Sequence, residues 1–152
     1  MTRNNLIIVA AGGSLALLLG AFAFQYIGGM APCKLCIWQR WPHGVAVAAG
    51  LLALMMRGKF WPLVGMLGAA TTGAIGIYHT GVERNWWEGP TSCTSSGTSG
   101  MSADDLLEQI MAAPLIRCDE VPWEMFTLSM ATWNAIISFG LAAIWLMAWK
   151  RS

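Results

Sequence analysis

Charge is what this sequence has least of. Asp, Glu, Lys and Arg make up 11% of its 152 residues, while 56% are hydrophobic and nine are tryptophan; a soluble domain carries about 25% charged residues. This scarcity excludes an ordinary soluble globule and points to an integral membrane protein. Runs of basic residues are also missing and the net charge is +1, so nucleic acid is not an expected partner. A second Cys-x-x-Cys pair is missing too. Zinc usually takes two such pairs, so no metal is expected. Finally, no Asp or Glu lies outside the stretch between Gly81 and Met125.

What is present is apolar and comes in four runs, at about 6–28, 37–56, 60–80 and 126–149. Each has roughly 20 residues, enough at 1.5 Å per residue to cross a hydrocarbon core of about 30 Å. The first is longer than the ~7 to 15 apolar residues of a signal peptide, so it reads as an anchor, although Ala21-Phe22-Ala23 looks like a cleavage site. The expected fold is a single all-α membrane domain over 1–152, a four-transmembrane-helix bundle with outward loops 29–36 and 81–125. Pro42 and Pro62 are expected in or near first helical turns, where a missing donor costs little. Gly12, Ala16 and Gly20, and likewise Gly65, Ala69 and Gly73, repeat every fourth residue and suggest close helix contacts.

Arg3, Arg57, Lys59, Lys150 and Arg151 all fall at one side of these runs. The positive-inside rule puts that side, with both termini, in the cytoplasm. The four cysteines then face the compartment where disulfides persist. In the long loop, 91–100 reads TSCTSSGTSG, a flexible tether for Cys93. A short helix is expected over 102–113, capped by Ser102, with Leu106, Leu107, Ile110 and Met111 on one face, against the membrane surface or buried against the loop.

The chemistry gathers at Cys33-Lys34-Leu35-Cys36 and Arg40. A Cys-x-x-Cys pair can exchange disulfides because its sulfurs can bond and one thiolate can be stabilised. Cys36 opens a helix whose N-terminal amides favour an anion, and Arg40 lies one turn below it; both effects should lower the Cys36 pKa. His43 continues the stripe at i, i+4, i+7, about 10 Å deep. This face could bond and protonate a flat acceptor, or His43 could be satisfied by a polar side chain inside the bundle. His79 ends the third run on the cysteine side, either to meet a ligand or to be wetted by headgroups. Trp38, Trp41, Trp61, Trp86, Trp87, Trp123 and Trp149 lie near helix ends, as an aromatic belt requires. Cys93 and Cys118 are distant in sequence. The four cysteines leave open a structural disulfide, a four-thiolate metal site or a redox relay.

Cys33-Lys34-Leu35-Cys36-Ile37-Trp38-Gln39-Arg40, with Cys93, Cys118 and His79 in a four-helix plan, resembles the disulfide bond formation protein B family of quinone reductases. The resemblance implies a thiol:quinone oxidoreductase of the bacterial inner membrane, its cysteine loops periplasmic. A periplasmic DsbA-like thioredoxin-fold protein would give electrons to a Cys93–Cys118 disulfide, through a mixed disulfide at Cys93. A Cys118–Cys33 bond would carry them to Cys33 and Cys36. Cys36 would deliver them to ubiquinone or menaquinone from the membrane pool, with Arg40 and His79 beside the ring. Such a partner is a strong oxidant, and only a more oxidising acceptor recharges it. Tyr78 stands where some relatives have an acidic residue, and the Ser/Thr/Gly run after Cys93 is a second departure. A paralogue serving one dedicated partner, or a non-catalytic membrane protein using its cysteines for zinc or structural disulfides, are the competing expectations.

Overall fold

The computed structural model describes residues 1–90, Ser102 and 117–152. Among these are four helices, α1 (Arg3–Tyr26), α2 (Lys34–Met55), α3 (Phe60–Glu83) and α4 (Met130–Lys150), and two short strands, β1 (Glu124–Met125) and β2 (Leu128–Ser129). α1, α3 and α4 are long and apolar enough to cross a membrane. α2 is as long, but Lys34, Gln39, Arg40 and His43 interrupt its first half. The expected helix over 102–113 and Cys93 lie outside the described residues.

The helix ends have local causes that move them from the expected positions. α2 begins at Lys34 because Cys33 caps it, its sulfur accepting the Cys36 backbone N–H at 3.1 Å. Pro42 is therefore well inside α2 instead of in its first turn, and it withdraws one donor from the helix ladder. α3 runs on to Glu83, which brings that carboxylate into the helix. α4 starts at Met130 and not at 126, because Phe126 and Thr127 turn with φ of 53° and 62°. They join β1 to β2 in an antiparallel hairpin, Met125 opposite Leu128, as a two-residue turn of this hand requires. Ser129 then caps α4, accepting from the Thr132 N–H at 3.2 Å.

The helices pack in a ring, α1 on α2, α2 on α3, α3 on α4 and α4 back on α1, with α1 and α3 on opposite corners. One end is closed by an apolar core in which Leu6, Ile7, Ala10, Ala53 and Ala69 surround the fully buried Trp145. Gly65 makes this possible: a Cβ there would lie 2.6 Å from the Trp145 ring. Gly73 similarly faces Phe139, and Ala69 is buried, so the α3 stripe of small residues is a packing face. The α1 stripe is not, since a Cβ on Gly12 or Gly20 would meet nothing within 4 Å. At the same end Arg3 donates to the carbonyls of Ala53 (2.9 Å) and Met56 (3.3 Å) and to the Ser152 hydroxyl (2.9 Å). Both termini and the turn at 56–59 therefore meet at the end opposite the cysteines.

Candidate functional site

At the other end α1, α2 and α4 line a cavity of about 700 Å³. Its walls include Cys33, Cys36, Arg40, His43, His79 and Asn134, with Leu17, Phe24 and Ile137 among the apolar ones. The stripe expected along α2 thus faces one space, and His79 joins it from α3, buried to 3% exposure instead of wetted at the surface.

Cys33 and Cys36 are free thiols, Cys33 buried and Cys36 half-buried. Their sulfurs and a His79 ring nitrogen lie within 4.8 Å of one another, and Cys33 Sγ is 3.6 Å from His79 Nε2. That spacing suits thiol exchange and would also admit a thiophilic cation. The adjacent Cys36 sulfur and burial hold the Cys33 thiol well above the ordinary cysteine range, outweighing the amides that favour its anion. Cys118, fully buried and engaged in a disulfide, packs with Cys33, Leu35 and Val82, and Cys36 lies against the same cluster. Three cysteines from two distant parts of the chain therefore meet at one point.

Arg40 is held by the end of α1. Its Nη1 donates to Gln25 Oε1 at 2.6 Å, its Nη2 to the Ala21 carbonyl at 3.4 Å, and its guanidinium lies 4.9 Å from the Phe22 ring centroid. The Nε–H is buried and has no partner. A buried donor left unpaired is unfavourable unless a ligand completes it. A polar, flat molecule with a carbonyl oxygen fits this donor and the apolar walls, so the residues present suit a quinone head group.

Several polar groups the sequence did not single out belong here. Glu83, with its side chain 4% exposed, places Oε1 at 3.7 Å from His79 Nε2, and its Oε2 accepts from Ser129 at 2.5 Å. The i, i+4 spacing of His79 and Glu83 is a usable signal once α3 is known to extend past residue 80. Gln39 contacts His79 Nδ1 at 2.9 Å, Asn134 contacts Gln39 at 2.7 Å, and His43 Nε2 lies 2.9 Å from Asn134 Oδ1. His43 is thus satisfied on one side by a polar neighbour, while its Nδ1 has none. Trp87, expected only in the belt, lies over Gly81 where a Cβ would stand and donates to the Tyr78 carbonyl at 2.9 Å, covering the end of α3.

The chain matches the family described as disulfide bond formation protein DsbB over residues 3–148. It is 32% identical over 143 residues to disulfide bond formation protein B of Methylococcus capsulatus, covering 88% of this chain and 86% of that one. The protein of the same name from Shewanella frigidimarina is 31% identical over 145 residues, covering 88% and 82%. An uncharacterized protein of Rickettsia prowazekii is 23% identical over 141 residues, covering 90% and 81%. No solved structure matches. With the family match running through all four helices and the clustered cysteines, this chain belongs to the DsbB family of disulfide-forming membrane oxidoreductases.

Proposed function

We propose that the chain is an inner-membrane thiol:quinone oxidoreductase that reoxidises a periplasmic DsbA-like thioredoxin-fold protein. The observation that carries this reading is the packing of disulfide-bonded Cys118 against Cys33, beside a cavity that holds Cys36 and an unpartnered Arg40 donor. α2 joins the three apolar helices as a fourth span, its polar face turned to the cavity instead of to lipid, as intramembrane charge requires. Both termini are cytoplasmic and the cysteine loops periplasmic, following the positive charges near Arg3, Arg57 and Lys150.

In the relay a thiolate of the partner attacks Cys93 of a Cys93–Cys118 disulfide and forms a mixed disulfide. The partner's second thiol resolves it, leaving the partner oxidised and Cys93 and Cys118 reduced. Cys118 attacks Cys33 of the Cys33–Cys36 disulfide, making a Cys118–Cys33 bond and releasing Cys36 as thiolate. Cys93 then restores the loop disulfide and frees Cys33. The electron pair has by then passed from the partner to Cys33 and Cys36, the pair that is free here. Cys36, Arg40 and His79 would hold the quinone, which supplies, when bound, an acceptor for two electrons and two protons. Arg40 offers its Nε–H to a carbonyl oxygen, and Val82 near the end of α3 packs against Cys33 and helps to keep water from it.

The test is to reduce the purified protein in detergent, add ubiquinone or menaquinone, and count trapped thiols. Reoxidation with loss of thiols in pairs is expected, and Cys36→Ser should abolish it. Thiols that persist with either quinone would show the reading to be wrong.

A further inference from the structure

A chain of side-chain hydrogen bonds runs from His43 to Cys33 through the bundle, and its direction can be read from its fixed ends. The Thr72 hydroxyl donates to the Gln39 carbonyl at 3.0 Å, so its oxygen is left as an acceptor. Asn134 Nδ2 lies 3.1 Å from that oxygen, 3.4 Å from the Thr72 carbonyl and 2.7 Å from Gln39 Oε1. Turning the Asn134 amide over would set its oxygen against the first two acceptors, so the nitrogen must face them. Gln39 Oε1 is thereby fixed as the acceptor of Asn134. Gln39 Nε2 then faces the Leu35 carbonyl at 3.3 Å, which only a donor satisfies, and His79 Nδ1 at 2.9 Å. Nδ1 receives that N–H and is a lone pair. In the neutral ring the proton is consequently on Nε2, which faces Cys33 Sγ at 3.6 Å and Glu83 Oε1 at 3.7 Å and is the nitrogen left to donate to the Cys118 backbone carbonyl. The partner of one ring nitrogen decides the state of the other.

We infer that Thr72, Asn134 and Gln39 are positioning residues that lock His79 in one tautomer, so that it presents Nε2–H as a fixed donor where the Cys33 sulfur and the Cys118 backbone meet and does not serve as the base that deprotonates Cys33. The same logic gives His43 a proton on Nε2, donated to Asn134 Oδ1, and a lone pair on Nδ1. A ring held this way has no free electron pair at Nε2 for a cation, and it favours thiol exchange over metal capture at the same three atoms. The roles follow from the thiol-exchange reading above, but the proton positions depend on neither a quinone nor a partner.

The chain has only two histidines, so ¹⁵N-histidine labelling of the reduced protein in detergent resolves both rings by NMR, and His43→Leu assigns them. The wild type should show protonated Nε2 and unprotonated Nδ1 at His79. Gln39→Glu replaces the N–H that faces Nδ1 with a carboxylate oxygen, and should move the proton to Nδ1. Gln39→Leu removes the donor, together with the oxygen that accepts from Asn134, without setting an acceptor against Nδ1, and should lower the Nε2–H to Nδ1–H ratio about tenfold, one ordinary hydrogen bond's share. Circular dichroism reports whether each variant keeps its helices. An Nδ1–H ring in the wild type, or a ratio that neither variant changes, overturns the inference. A protein that reduces no quinone yet shows the inversion would defeat the proposed activity and leave the lock intact.

Discussion

Replacing Arg40 with alanine separates two roles that the geometry allows for its charge. Two of the guanidinium nitrogens are occupied, Nη1 by Gln25 Oε1 at 2.6 Å and Nη2 by the Ala21 carbonyl at 3.4 Å, and the ring of Phe22 lies 4.9 Å below. The third, Nε, is buried and unpaired in a residue that lines the cavity. If a quinone carbonyl completes it, the lost interaction is a hydrogen bond from a charged donor, about 1.5–3 kcal/mol. At about 1.4 kcal/mol per decade this corresponds to a KM for quinone raised roughly 10- to 100-fold, with kcat little changed. Gln25→Leu leaves the donor but frees its orientation, and should raise KM by less. The assay is steady-state quinone reduction in detergent with reduced partner in excess. A kcat that falls while KM stays put would refute the reasoning, and would mean that Arg40 acts on the Cys36 thiolate and not on the acceptor.

Two further outcomes follow from neighbouring features. Because the Cys36 sulfur and burial hold the Cys33 thiol protonated through neutral pH, limited alkylation of the reduced protein at pH 7 should label Cys36 before Cys33, and Cys36→Ser should make Cys33 more reactive as its pKa falls; mass spectrometry showing equal labelling would contradict this. Gly65→Ala forces a methyl to within 2.6 Å of the Trp145 ring and should lower stability by about 1–3 kcal/mol, read as a lower thermal midpoint by circular dichroism. Gly12→Ala, with nothing within 4 Å, should leave the midpoint unchanged and is the control for it.

The helices were legible because each is a long apolar run, and a membrane interior demands that such runs satisfy their own backbone. The thiol motif was legible because Cys33, Cys36 and Arg40 are close in sequence. What escaped depends on contacts between distant segments. Asn134 is 95 residues from Gln39, and nothing local marks either as part of a network. The hairpin at Phe126 and Thr127 lacks the Asn or Gly that usually announces left-handed turn residues, so the sequence carries no signal that separates it from the apolar run of the fourth helix. Glu83 reads as a loop residue because apolar content ends before the helix does. The stripe at Gly12 shows the opposite failure: its spacing is right, but periodicity does not say which face meets a neighbour.

An apolar core at one end and a cavity at the other divide the labour of the chain along its length. The apolar contacts around Trp145 and the Arg3 clasp fasten all four helices at the closed end, remote from the thiols and from the cavity that they line. Substitutions around the cavity can therefore change what it accommodates while the foundation stays intact. A bundle fastened at one end and hollow at the other lets variation proceed around the hollow without bringing down the whole.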